Sequence, residues 1–73
     1  MTLKDLVSGS GKSMRFIAAK VGCTPNWLPK KLDNVDNWNS KEIKLLASAL
    51  DVPNPQVSRD DFLAVFGLSK DFF

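Results

Sequence analysis

Seventy-three residues make one domain at most, and a core this small leaves only modest stability. The lone cysteine, Cys23, excludes an internal disulfide, and with no histidine present a zinc site and the usual general base are excluded too. The net charge of +2 divides unevenly: residues 1–50 carry eight basic groups against four acids, whereas residues 51–73 carry Arg59 and Lys70 against four aspartates. That distribution suits a weak binder of polyanions, or equally a solvated surface of mixed charge.

The apolar spacing is helical nearly throughout and gives no strand and no repeat. Leu3, Leu6 and Val7 define a first helix ended by Gly9 and Gly11. Ser13 caps a second, with Phe16, Ile17, Ala18 and Val21 as its apolar positions and Gly22 as its stop. Thr24-Pro25 opens a third, because the hydroxyl caps and proline loses nothing at the first helical position. Trp27, Leu28 and Leu32 give it an apolar stripe, and Pro29 falls in its interior, where a missing N–H costs about 3 kcal/mol. After the turn-rich Asp33–Asn39, Ser40 opens a fourth helix over Lys41–Leu50, with Ile43, Leu46, Ala47, Ala49 and Leu50 inward and the Val52–Pro55 segment as its end. Ser58 and Asp61 are spaced like a capping box for a fifth, which carries Phe62, Leu63, Val65 and Phe66 and ends at Gly67. The expected fold is all-α, a compact bundle of about five short helices in a single domain over 1–73. Helices 1–4 fill 1–52, and the C-terminal helix and tail fill 53–73.

The run from Ile17 to Leu28 carries the functional reading. A small Ala18 lets two helices cross closely, Gly22 permits the tight turn between them, and Leu28 locks the third helix onto the second. This is the spacing of a helix-turn-helix, with the motif at 14–32. With Leu3 and Leu6, Gly11, Ser13, Thr24 and the fourth-helix positions Ile43, Leu46-Ala47, Ala49-Leu50 and Val52 in the same gapless register, the chain resembles the Cro and phage-repressor (lambda-repressor-like, XRE) helix-turn-helix domains over Leu3–Val52.

The resemblance implies a non-enzymatic transcriptional regulator, phage-like or bacterial, that binds operator DNA without a cofactor. It implies base contacts from Thr24, Asn26, Trp27 and Lys30, with Asn26 suited to an adenine edge and Lys30 to a guanine. Arg15, Lys31, Lys41 and Ser13 are the implied phosphate contacts, which orient without reading sequence. It also implies a homodimer. Departures from the family pattern include Met14 in place of a phosphate-contacting glutamine and the apolar Pro25 at a position often used for base reading.

Other readings stand beside these. Gly9-Ser10-Gly11-Lys12-Ser13 matches the end of a phosphate-binding loop, but Leu6 occupies the place of its first glycine, so a helix-to-helix turn is expected. Phe16 and Trp38 are expected in the core, Cys23 as a small buried turn residue, and Trp27 at either a contact or a packing position. The terminal Phe72 and Phe73 fold back on the core or enter a dimer interface with the fifth helix. The aromatic at Trp27 and the two prolines of the third helix also suit a protein-binding module on the same fold, antirepressor-like or inhibitory. Met1–Val7 gives no signal-peptide core, and no apolar run suits a membrane span, so a cytoplasmic location is expected.

Overall fold

A computed structural model describes residues 2–72. Among them the chain forms five α-helices and no strand: α1 (Leu3–Gly9), α2 (Met14–Val21), α3 (Leu28–Asp33), α4 (Ser40–Ala49) and α5 (Arg59–Phe66). Short 3-10 turns at Val35–Asn37 and Lys70–Phe72 complete it. The all-α bundle is therefore as expected, with Phe73 outside the described residues.

Helices of six to ten residues are marginal in isolation, so caps and tertiary burial carry them. Ser13 and Ser58 serve as the expected N-caps, accepting from the Phe16 and Asp61 amides at 3.1 Å each. The fourth helix is capped one residue earlier than expected. Asn39 exchanges two bonds with Glu42, a full capping box that leaves Ser40 as the first helical residue. Thr2 and Asp5 form the same box on α1.

At the far ends, Gly22 (φ 90°) and Gly67 (φ 68°) adopt left-handed backbone. The next amides, of Cys23 and Leu68, then reach back to Ala18 and Leu63 at 3.0 and 2.9 Å. α4 ends the same way through Asp51 (φ 57°), with the Val52 amide 2.9 Å from the Ala47 carbonyl.

One apolar stripe from each helix closes the core: Leu3, Leu6 and Val7 from α1, Ile17, Ala18 and Val21 from α2, Leu28 and Leu32 from α3, Ile43, Leu46 and Ala47 from α4, and Phe62 from α5. α2 packs chiefly on α4, and α1 on α3 and α5. In the long connection before α5, Asn54 substitutes for missing secondary structure. Its carboxamide oxygen accepts from the Gln56 and Val57 amides at 2.7 Å each, its Nδ2 donates to the Leu50 carbonyl, and Val57 is fully buried beside it.

Two expectations about the aromatics divide. Trp38 is buried and meets Phe66 edge-on at 5.9 Å between centroids. Phe16, expected in the core, is instead 41% exposed. Ile17, Val21 and Ala18 spread the inward face over about 100°, and position 16 lies about 150° around the helix from the centre of that face and turns towards solvent. Phe72 packs against the core, as the first of its two expected fates had it.

Candidate nucleic-acid interface

The segment between α2 and α3 is built in two pieces. Thr24 anchors the first: its carbonyl accepts from the Trp27 and Leu28 amides at 3.1 Å each, and its Oγ1 accepts from the Trp27 amide at 3.3 Å. This makes Thr24–Leu28 one capped helical turn, as the Thr24-Pro25 pair suggested. The expected continuous helix does not follow. Pro29 has no amide to give to Pro25, so regular α-helix begins only at Leu28 and Pro29 falls in its first turn. There a proline removes a bond that the helix end lacks anyway, and the interior penalty expected for Pro29 does not arise.

Leu28 and Leu32 are buried and seat this segment on the core, with α3 packed chiefly on α1 rather than on α2 as the expected Leu28 lock would have it. Everything else on the turn points away. Thr24, Pro25, Asn26, Trp27, Pro29 and Lys30 are all exposed, Trp27 to 59%. The Lys30 ammonium lies 5.1 Å from the centroid of the Trp27 ring, a cation–π contact at i, i+3 spacing.

Arg15 on α2 and Lys41 on α4 are likewise exposed, and among the described residues Arg15, Lys20, Lys30 and Lys41 form no ion pair. Ser13 is exposed, with its hydroxyl engaged as the cap of α2. Lys31 differs from this group. Its ammonium sits 3.0 Å from Glu42 Oε2, donates to the Asn37 carbonyl at 3.4 Å and covers the Trp38 ring at 4.8 Å. The Trp38 indole N–H in turn donates to the Lys31 carbonyl at 2.7 Å. This clasp ties α3 to α4 across the 3-10 turn. The Lys31 ammonium and, second, the Asn39 amide donate to the Glu42 carboxylate and hold its carboxyl below the ordinary range. An ammonium so engaged is unsuited to the phosphate contact expected of Lys31.

Two lysines not expected as contacts gather on the exposed Phe16. Lys12 and Lys20 flank Phe16, each 5.6 Å from its ring centroid, and Lys12 also pairs with Asp51 at 3.1 Å. Phe16 and Lys20 are an i, i+4 pair on α2, and Lys12 reaches the same ring from the turn before the Ser13 cap.

Among the described residues no cluster of His, Cys, Asp or Glu is arranged to hold a metal ion, and no helix is long and apolar enough to cross a membrane. Cys23 is half-buried in the turn after α2 and packs against the core. An apolar groove lies between α1, α3 and α5, with Lys4 and Asp33 4.0 Å apart among its lining residues. It is remote in kind from the basic outer face. The chain matches no protein-family model, no curated protein and no solved structure.

Proposed function

We propose that this protein is a small DNA-binding regulator of the helix-turn-helix type, acting without catalysis or cofactor in the cytoplasm. The observation that carries the reading is the Thr24-capped turn. It is seated by Leu28 and Leu32 and presents Asn26 and Lys30 outward, while Arg15 and Lys41 are exposed and form no ion pair among the described residues. A short element held by its apolar side, with Asn26 and Lys30 among its outward residues, fits a major groove about 12 Å wide. Asn26 supplies a donor–acceptor pair for an adenine edge and Lys30 a donor for guanine, while Arg15 and Lys41 serve phosphates. Lys31 serves the fold.

Specific binding by so small a surface calls for two copies on half-sites about 34 Å apart, hence a homodimer on DNA. Selection from a random duplex pool tests this: enrichment of a short palindrome with that spacing is expected. A folded protein that retains no duplex at low salt would defeat the reading.

The exposure of Trp27 and Phe16 favours a second reading, a protein-binding module on the same scaffold, because aromatic anchors dominate protein interfaces. That reading requires the opposite result, no duplex affinity at any salt concentration.

A further inference from the structure

The tip of the presented turn is more apolar than a polar base reader needs. Of its six exposed residues, Pro25, Trp27 and Pro29 offer only carbon-rich surface apart from the indole N–H. Both prolines also lack the amide protons with which such a turn would grip phosphate. Only Asn26 and Trp27 retain amides between Thr24 and Leu28, and that of Trp27 is bonded to Thr24. This turn is therefore poor at holding phosphate and rich in groups that gain by meeting apolar matter.

Yet its own charge is cationic. The Lys30 ammonium rests on the Trp27 ring without an ion pair among the described residues, and residues 1–50, which contain the turn, carry eight basic groups against four acids. Charge complementarity thus selects duplex DNA as the occupant, and within the major groove one base-pair group is apolar: the C5-methyl of thymine.

We propose that Trp27, with Pro25 beside it, is a specificity-determining contact for thymine methyl groups, so that the turn reads A·T steps through Asn26 on adenine and the indole on the neighbouring methyl. The proposal rests on the DNA-binding reading and adds to it a preference for a particular base pair. Trp27 is suited to this because its indole is exposed and the Lys30 cation accompanies it: the charge sits against the polyanion while the ring covers the methyl. A thymine methyl shielded from water in this way is worth about a fourfold gain in affinity, the usual value for one buried carbon group.

Three duplexes of equal length test it with the full chain at fixed low salt: alternating dA·dT, the same sequence with deoxyuridine replacing thymidine, and alternating dG·dC carrying 5-methylcytosine. The expected order places dA·dT first, with the deoxyuridine duplex weaker by about fourfold for each methyl contacted. Trp27→Ala should bind the dA·dT and deoxyuridine duplexes equally. Circular dichroism confirms that this variant, altered at an exposed site, remains helical, and Trp27→Gln supplies the same comparison with a polar side chain.

Equal binding of the two duplexes by the unaltered protein would overturn the proposal while leaving DNA binding intact. So would a methyl effect that survives in Trp27→Ala, or tighter binding to the methylated dG·dC duplex than to dA·dT. Failure to bind any of the three would overturn the DNA-binding reading together with it.

Discussion

Lys30 and Lys31 are neighbours in the chain, and each ammonium lies over a tryptophan ring, at 5.1 Å from Trp27 and 4.8 Å from Trp38. The two pairs have opposite surroundings. Trp27 is 59% exposed and its lysine has no ion pair among the described residues, whereas Trp38 is 7% exposed and Lys31 is shared among Glu42, the Asn37 carbonyl and the ring. One step along a helix rotates a side chain by about 100°, enough to move a cation from an outward face to an internal joint. A basic dipeptide in this segment is thus two different devices: one exposed residue, and one that holds the segment in position.

The largest separation between the two faces should appear in Trp→Ala substitutions followed by urea unfolding. Trp38→Ala removes a buried aromatic and the bond from its indole N–H to the Lys31 carbonyl, a loss of about 3–5 kcal/mol. A domain of this size has little more than that to lose. Trp27→Ala should stay within about 0.5 kcal/mol of the unaltered protein, as exposed substitutions usually do. Comparable losses at both sites would erase the distinction.

The next effect is at the lysines. The side chains of Lys31 and Glu42 are only 15% and 25% exposed, so their pair is better shielded than an ordinary surface bridge. Lys31→Ala should destabilise by about 1–2 kcal/mol, since it removes a charge-assisted bond together with the packing of the lysine stem on Trp38. A double-mutant cycle with Glu42→Gln should return a coupling of about 1 kcal/mol. Lys30→Ala should leave unfolding nearly unchanged.

A smaller effect sharpens the same contrast through pH. Glu42 has its folded-state pKa lowered, by Lys31 first and the Asn39 amide second. Its contribution to stability is therefore fully present above the unfolded value of about 4.3 and is lost as pH falls from there through the lower folded value. Glu42→Gln should flatten the stability–pH curve in that acidic window and leave its shape above about pH 5 unchanged. An unchanged acid limb in Glu42→Gln would remove Glu42 from the clasp.

The local features of this fold were legible because they rest on neighbours within four residues. The hydroxyl caps Ser13 and Ser58 and the left-handed Gly22 follow from spacing alone, whereas Thr24, expected to cap α3, caps only the turn before it. What was not legible depends on partners farther off. Lys31 meets Trp38 seven residues on and Glu42 eleven residues on, across a 3-10 turn whose path only tertiary packing sets. Phe16 is a different failure. Its apolarity argued for the core, but the helical phase of Ile17, Ala18 and Val21 argued against it, and phase prevailed. The exposure of Asn26 and Lys30 was legible in the sequence, and the face of Lys31 and of Phe16 was not.

The most direct test of that division is the salt dependence of duplex binding for the unaltered protein, Lys30→Ala and Lys31→Ala, each at a temperature where it is shown to be folded. Affinity should fall steeply with salt, with a log–log slope near −0.9 for each phosphate neutralised. Lys30→Ala should weaken binding and reduce that slope by up to about one phosphate contact, and Lys31→Ala should leave it unchanged. A slope that responds to Lys31 and ignores Lys30, or that responds to neither, would contradict the assignment of the outer face to DNA.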